Sequence, residues 1–138
     1  MTTLMLVRHG ETVDNANRIM QGQTQGQLNE TGIRQAEEVA ISLAGEHVDA
    51  VVSSDLKRSY DTACIIANKD GLDVSTTKLL RERDWGSFTG RYIPDLKEEK
   101  WPDDIESLDH LLYRAKIFLD FVRSEYPDHS VVAVGHGI

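Results

Sequence analysis

Short apolar runs alternate with segments of helical periodicity along this chain. The clearest runs cover residues 4–7, 48–53 and 130–134, and residues 74–80 form a weaker strand candidate. Strands that alternate with helices usually form a mainly parallel sheet, with right-handed crossovers and helices on both faces. The sequence therefore predicts an α/β fold, a three-layer α/β/α sandwich around a mainly parallel central sheet.

Three segments carry the helical pattern. The first begins at an Asn29 N-cap, stops near Gly45, and has its apolar residues at helical spacing, namely Ile33, Ala36, Ala40 and Leu43. The second follows Ser53 and presents Ala63, Ile66 and Ala67. The third begins at Ser107, ends near Glu125, and carries the longest apolar stripe, formed by Leu108, Leu111, Leu112, Ala115, Phe118, Leu119 and Val122. We interpret this stripe as core.

The remaining segments are predicted to be loops. Residues 14–27 are rich in Asn, Gln and Gly, have no helical or strand period, and lie close to the end of the first strand. Residues 80–90 form a second loop with two glycines, and residues 92–104 are expected to cap the site with a short helix.

The size and charge of the chain limit the classes of function. At 138 residues, we expect one domain over residues 1–138. The net charge of -8 argues against a nucleic-acid partner. We find no segment typical of a membrane helix or a secretion signal, and Cys64 is the only cysteine, so we expect a cytoplasmic protein without a membrane partner.

Chemically active residues follow three of the predicted elements. Arg8 and His9 come directly after the first strand, and His136 follows the last one. Arg58 lies in the first turn of the second helix, beside backbone N–H groups that we expect to be free to hold an anion. Ligands of parallel sheets collect at the carboxyl ends of the strands. Glu82 lies in the loop that follows the weak strand, where a carboxyl in a cleft could carry a proton.

Taken in order, four motifs resemble those of the histidine phosphatase superfamily, the phosphoglycerate mutase-like proteins. They are Arg8-His9-Gly10-Glu11-Thr12, Ser54-Asp55-Leu56-Lys57-Arg58, Glu82 and Gly135-His136-Gly137. Further matching positions are Asn15, Gly22-Gln23-Thr24, Leu28, Thr31-Gly32 and Glu106-Ser107. The resemblance extends over nearly the whole chain, and four ordered motifs are far more specific than one.

The resemblance implies a mechanism and a set of site residues. His9 would accept a phosphoryl group as the nucleophile, and Glu82 would protonate the leaving oxygen and then take a proton from water. The phosphate would be surrounded by cations and donors, namely Arg8, Arg58, a protonated His136, Asn15 and backbone N–H groups near Gly137. The loop residues Gln21, Gly22 and Thr24 would contact the substrate. Such chemistry spreads negative charge over fixed donors and needs no metal or cofactor.

The sequence departs from the family pattern on the substrate side. Gln25 and Gln27 stand where an Asp and a Pro are common, and Ile105 replaces the glycine of a Gly-Glu-Ser motif. Relatives also continue past the second histidine with a helix and at least one strand. We therefore expect a C-terminally short form of the fold that leaves apolar surface exposed. If 138 residues are the whole protein, we expect a homodimer through that surface or weak stability.

Three functions remain open from the sequence. We favour a phosphatase that acts on a small phosphorylated metabolite, because the stretch between Glu82 and His136 is too short for the cation-rich insertion of the mutase branch. Phosphoglycerate mutase-type transfer is the alternative within the enzyme class, and a non-catalytic phosphate-binding or interaction module is the alternative outside it. A metal hydrolase that uses His9 and His136 lacks a supporting cluster of further ligands. His47, His110 and His129 are interpreted as surface or cap residues.

Overall fold

A computed structural model describes residues 1–137, and a four-stranded parallel sheet forms their centre. The strands are β1 (Thr3–Arg8), β2 (Ala50–Ser54), β3 (Val74–Thr77) and β4 (Ser130–Gly135), in the spatial order β1-β4-β2-β3. The helices are α1 (Val13–Ala16), α2 (Glu30–Ser42), α3 (Lys57–Asn68) and α4 (Leu108–Glu125). Three 3₁₀ turns lie at Lys78–Leu80, Gly86–Phe88 and Ile93–Leu96.

Two apolar clusters cover the two faces of the sheet. On one face, α2 and α3 pack against β2 and β4 through Ala40, Val51, Ala63, Ile66, Ala67, Val132 and Val134. On the other face, α4 packs through Val52, Phe118, Val122, Val131 and Ala133. Neighbouring residues of one strand divide between the two clusters, because successive side chains point to opposite faces. The predicted three-layer α/β/α architecture with a parallel sheet is thus confirmed.

Local sequence signals place the two longest helices correctly. The side chain of Asn29 accepts a hydrogen bond from the backbone N–H of Gly32 and so caps α2. Ser107 caps α4 in the same way, through the N–H of His110. Gly10 lies directly against the start of α2, since a Cβ atom built on it would be 2.3 Å from the carbonyl oxygen of Gly32. The loop after β1 therefore requires a glycine at this position.

The predicted apolar stripes are only partly buried. On α4, Phe118 and Val122 are buried, whereas Leu108, Leu112 and Leu119 are exposed. Among the described residues, only Phe118 and Val122 of this helix are buried, so the interpretation of the whole stripe as core was wrong.

Other boundaries and environments also differ from the predictions. Ile33 is exposed although its spacing placed it on the apolar face of α2, and that helix ends at Ser42 rather than near Gly45. β1 lies at one edge of the described sheet and leaves the apolar side chain of Leu6 75% exposed.

The predicted loops contain short helical turns. Residues 14–27 are largely irregular, but Val13–Ala16 form one turn of helix because Thr12 and Asn15 cap each other's backbone. The weak third strand ends at Thr77 and passes into the 3₁₀ turn Lys78–Leu80. The short helix expected within residues 92–104 is the turn Ile93–Leu96, which packs beside the loop through the Ile93 N–H and the Arg18 carbonyl.

Within residues 1–137, none of the helices combines the length and the apolar composition needed to span a bilayer.

Candidate active site

The carboxyl ends of β1 and β4 bring His9 and His136 together. The two strands are neighbours, and the backbone N–H of His9 donates to the carbonyl of Gly135 at 3.0 Å. The ring centroids of the two histidines are 5.1 Å apart, in an edge-to-face arrangement. Residues separated by most of the chain thus form one cluster, as the sheet topology predicted.

His9 is held in a single orientation by its own loop. Its Nδ1 atom lies 2.7 Å from the carbonyl oxygen of Gly10. Because a carbonyl can only accept a hydrogen bond, Nδ1 carries the proton and Nε2 keeps a free electron pair. Burial, together with the positive charges of Arg58 and Arg8, lowers the pKa of His9 to about 4, against the raising effect of the Gly10 bond. His9 is therefore neutral and suited to nucleophilic attack at neutral pH.

His136 is also neutral, contrary to the expectation of a protonated imidazole. Burial is the main cause, and the nearby Arg58, His9, Arg114 and Arg8 add to it, so that the pKa of His136 falls to about 2. Its Nε2 atom is 2.9 Å from the hydroxyl oxygen of Ser54. Its Nδ1 atom is buried and has no hydrogen-bond partner among residues 1–137.

Arg58 is buried beneath the loop that follows α1. Only 1% of its surface is exposed, and its guanidinium donates to the carbonyl of Gly22 at 2.7 Å and to the carbonyl of Thr24. Its Nε atom is buried without a partner in the described part of the chain. Burial lowers the pKa of Arg58, although the group stays a cation near neutral pH. Gly22 and Thr24 were predicted to contact the substrate. In the structure their backbone carbonyls accept hydrogen bonds from Arg58.

The start of α3 is already occupied, which corrects one prediction. The N–H of Lys57 donates to the side-chain oxygen of Gln25 at 2.9 Å, and the N–H of Arg58 donates to the Gln25 carbonyl at 3.1 Å. The first N–H groups of this helix are therefore not free to hold an anion. Gln25, noted only as a departure from the family pattern, instead ties the loop to the helix.

The remaining predicted residues lie on the same loops. Asn15 uses its side-chain oxygen to accept the Thr12 N–H, so the donor on its side chain is the Nδ2 group. Gln21 is buried and accepts a bond from the Thr12 hydroxyl at 2.9 Å. Gly137 lies against the side chain of Arg8, where a Cβ would be 2.9 Å from the arginine.

Glu82 is half-buried, and neither flanking arginine pairs with its carboxylate. Arg81 instead forms a two-contact ion pair with Asp55, and the Arg83 guanidinium lies over the rings of Trp85 and Trp101. The Glu82 carboxylate accepts a 2.7 Å bond from the Arg83 backbone N–H. Burial raises the pKa of Glu82, and the opposing effects of that bond and of nearby arginines do not cancel the increase. A carboxyl with a raised pKa is suited to donating and accepting protons.

An ion pair behind Glu82 escaped the sequence reasoning. Arg114 of α4 contacts the Glu106 carboxylate through two nitrogens, each at 2.7 Å, and donates to the carbonyls of Leu79 and Arg81 at 3.0 and 2.9 Å. Burial would raise the pKa of Glu106, but the bonds from Arg114, the Asp84 N–H and His110 outweigh burial and lower it to about 2. The Glu106-Ser107 motif matched the family pattern, but no feature of the sequence singled out Arg114. Its helical neighbours gave no signal that it reaches the Glu82 segment.

Two cavities meet at Arg8. A cavity of about 480 Å³ is lined by Arg8, His9, Gly10 and Asn15, together with residues of α2 and α3. A cavity of about 570 Å³ is lined by Arg8, Glu82 and His136 at one end and by apolar residues of β1 and α4 along the rest. Of the predicted site residues, Arg8, His9, Asn15, Glu82 and His136 therefore line these two cavities, whereas Arg58, Gln21, Gly22 and Thr24 line neither.

The donor set of this cluster suits an anion. Within residues 1–137, no group of three or more His, Cys, Asp or Glu side chains is arranged to hold a metal ion. The cluster combines two arginines, two imidazoles and a carboxyl whose pKa is raised by burial. Such groups can bind a phosphoryl group and stabilise the charge that develops during its transfer. His9, Arg8, His136 and Glu82, for which the resemblance implied catalytic roles, thus lie close to one another.

Comparisons with known proteins point in the same direction. Residues 4–138 match the profile of the histidine phosphatase superfamily (branch 1). A relative from Yersinia pestis (strain Pestoides F), named "Probable phosphoglycerate mutase GpmB", is 45% identical over 103 residues, which is 73% of this chain and 48% of that protein. The chain thus spans about half the length of the curated relatives it matches.

Solved structures with this fold include phosphatases. A mycobacterial glucosyl-3-phosphoglycerate phosphatase in complex with VO3 has a TM-score of 0.88 and 31% identity, over 97% of this chain and 75% of that chain. Bacillus stearothermophilus YhfR has a TM-score of 0.93 and 26% identity, over 99% of this chain and 75% of that chain.

Proposed function

The chain belongs to the histidine phosphatase superfamily, and on that premise we propose that it hydrolyses small phosphomonoesters through a phosphohistidine formed at His9. The observation that carries the proposal is the state of His9. Its Nδ1–H is bonded to the Gly10 carbonyl, and its pKa is about 4, so the Nε2 electron pair is available for attack. A phosphohistidine requires this tautomer and this charge.

The surrounding groups support the two halves of the reaction. In the first half, Nε2 of His9 attacks phosphorus, the bond from phosphorus to the ester oxygen breaks, and protonated Glu82 gives its proton to that oxygen. In the second half, Glu82 takes a proton from water, the water oxygen attacks phosphorus, and the bond to Nε2 breaks with release of inorganic phosphate. Arg8, Arg58 and His136 would stabilise the phosphoryl oxygens in both halves.

Two buried nitrogen atoms among residues 1–137 have no hydrogen-bond partner, which supports the binding of an anion near His136 and Arg58. They are Nε of Arg58 and Nδ1 of His136, and a buried donor without an acceptor costs about 1–3 kcal/mol. A phosphoryl oxygen beside His9 would supply the acceptor. This observation favours a phosphate ligand over a site whose polar groups already satisfy one another.

A mutase-type transfer is the second candidate, because the Yersinia relative carries a mutase name. In that reaction the phosphoryl group would pass from His9 to a hydroxyl of a phosphoglycerate instead of to water. The two candidates share the phosphohistidine and differ in the acceptor. Among substrates, 3-phosphoglycerate and glucosyl-3-phosphoglycerate are the first to test, since the relative and the mycobacterial phosphatase are named for such compounds.

The test is release of phosphate from p-nitrophenyl phosphate and from 3-phosphoglycerate, with and without a chelator. We expect turnover that resists the chelator and disappears in His9→Ala. His129→Ala is the matched control, because His129 is exposed and lies at the opposite end of β4. Conversion of 3-phosphoglycerate to its 2-phospho isomer without phosphate release would identify the mutase. Turnover that survives in His9→Ala, or folded protein without any turnover, would contradict the proposal.

A further inference from the structure

The hydroxyl of Ser54 lies between the end of β2 and the ring of His136. Ser54 is fully buried, and its Oγ atom is 2.9 Å from Nε2 of His136. The contact arises because β2 and β4 are adjacent, with Ser53 paired to Val134 in the register. Ser54, the last residue of β2, thus contacts His136, which follows β4.

Whether Ser54 donates or accepts this hydrogen bond follows from the single proton and the two electron pairs of its hydroxyl. A serine hydroxyl has one proton to donate and two electron pairs that accept. The backbone N–H of Leu56 donates to the Ser54 Oγ atom at 3.2 Å and uses one of those pairs. Among residues 1–137, His136 Nε2 is the hydrogen-bond partner left for the hydroxyl proton. A buried hydroxyl without an acceptor is costly, so Ser54 donates to Nε2.

This direction decides which nitrogen of His136 carries a proton. His136 is neutral and so has a single N–H. An Nε2 atom that accepts from Ser54 has no proton, and the proton must lie on Nδ1. Nδ1 is the buried atom without a partner. The opposite tautomer would leave the Ser54 proton without an acceptor and would present an electron pair to the incoming anion.

We propose that Ser54 fixes the Nδ1–H tautomer of His136, so that the neutral ring donates a hydrogen bond to a phosphoryl oxygen bound beside His9. Ser54 is then a positioning residue that acts through His136 and does not touch the substrate. The benefit for phosphate binding rests on the function proposed above, whereas the tautomer itself does not. His136 can serve as a donor without gaining a proton from solvent.

The experiment is a long-range ¹H–¹⁵N correlation spectrum of the protein with ¹⁵N-labelled histidine, at pH 7 and without phosphate. The pattern for His136 is expected to show a protonated Nδ1 and an unprotonated Nε2. Addition of inorganic phosphate or vanadate is expected to shift the Nδ1 signal. An unliganded His136 with its proton on Nε2, or with both nitrogens protonated, would overturn the proposal.

Variants provide a second readout. Ser54→Ala is expected to give a mixture of tautomers and about five- to tenfold weaker binding of inorganic phosphate, the loss typical of one hydrogen bond. Ser54→Thr retains a hydroxyl and is expected to keep the tautomer. Ser53→Ala is the matched control, because Ser53 is equally buried and its hydroxyl donates to the Ser54 carbonyl instead. If Ser54→Ala keeps a pure Nδ1–H tautomer, the proposal is wrong.

The proposed tautomer of His136 and the proposed phosphatase activity can each be disproved without disproving the other. An Nδ1–H tautomer in a protein that hydrolyses no phosphomonoester would contradict the proposed function and leave the role of Ser54 in place. Turnover by a protein whose His136 carries its proton on Nε2 would support the proposed function and contradict the role of Ser54. If Ser54→Ala does not fold, the spectrum of the unmodified protein still decides the question.

Discussion

Arg114 and Glu106 form a two-contact ion pair directly behind the segment that carries Glu82. The side chains are 11% and 6% exposed, and both N···O distances are 2.7 Å. The same guanidinium reaches the carbonyls on the N-terminal side of Glu82, and the carboxylate accepts the Asp84 N–H on the C-terminal side. The pair thus contacts the backbone on both sides of Glu82.

Removal of Arg114 should cost stability. Arg114→Met leaves the nearly buried Glu106 carboxylate without its main partner, and we expect a loss of about 3 kcal/mol in the free energy of unfolding. Urea unfolding measures this loss. Lys116→Met is the matched control, because Lys116 lies on the same helix and is exposed. The pair also predicts that Arg114→Met and Glu106→Leu together cost less than the sum of the single changes. Additive losses would show that the two residues do not act as a pair.

The rate of hydrolysis should depend on pH through His9 and Glu82. Attack requires neutral His9, whose pKa is about 4, and leaving-group departure requires protonated Glu82, whose pKa is raised above 4.5. We therefore expect a bell-shaped profile of kcat/KM on the acidic side of neutrality. Glu82→Gln should lower kcat/KM by about 10²–10⁴-fold and remove the alkaline limb. An alkaline limb that persists in Glu82→Gln would assign the acid to another group.

The stability of the unliganded protein should fall when the pH is lowered from 6.5. The pKa values of His9 and His136 are about 4 and about 2 in the folded state, against 6.5 for an ordinary histidine. Below pH 6.5 the unfolded chain binds protons that the folded chain does not, so the free energy of unfolding decreases. Each histidine contributes up to about 1.4 kcal/mol per pH unit.

Thermal or urea unfolding between pH 6.5 and 5 measures this slope. His136→Asn should reduce it, while His129→Asn, at an exposed position, should leave it nearly unchanged. A slope of the same size in His136→Asn would show that His136 is not the group responsible.

Arg58 should couple the loop of residues 21–26 to anion binding. Its guanidinium donates to the carbonyls of Gly22 and Thr24, and a lysine cannot make both contacts with the same geometry. Arg58→Lys is expected to weaken binding of vanadate at least about tenfold and to speed amide hydrogen exchange in residues 21–26. Lys57→Ala is the matched control, since the exposed Lys57 side chain pairs with Asp61. Unchanged exchange in this loop would mean that Arg58 does not hold it.

The sequence was enough to predict that the strand ends meet at one edge of the sheet. It was not enough to predict which distant side chains contact each other. Apolar runs that end at Arg8-His9-Gly10 and at Gly135-His136 were enough to predict a parallel sheet with both histidines at one edge. Arg114 and Glu82 are far apart in the chain, and no local periodicity encodes their proximity. The same holds for Gln25, which contacts the start of α3 through its side chain.

The extent of burial, like the long-range contacts, could not be predicted from the spacing of apolar residues. A stripe of apolar residues on α4 indicates which side of the helix is apolar, but not how much of that side the sheet reaches. Phe118 and Val122 are covered, and Leu112 and Leu119 are not. The charge of His136 was missed for a related reason, since its neutral state depends on burial and on arginines from other elements.

Trapping of the phosphorylated chain tests the central claim most directly. The protein is mixed with a phosphomonoester, quenched in alkali within milliseconds to preserve a phosphohistidine, digested and mapped by mass spectrometry. We predict a phosphoryl group on His9, labile to acid and absent from His9→Ala, and longer-lived in Glu82→Gln if the water step is the slower one. A phosphoryl group on His136 or another residue, or turnover without any trapped intermediate in either protein, would contradict the account.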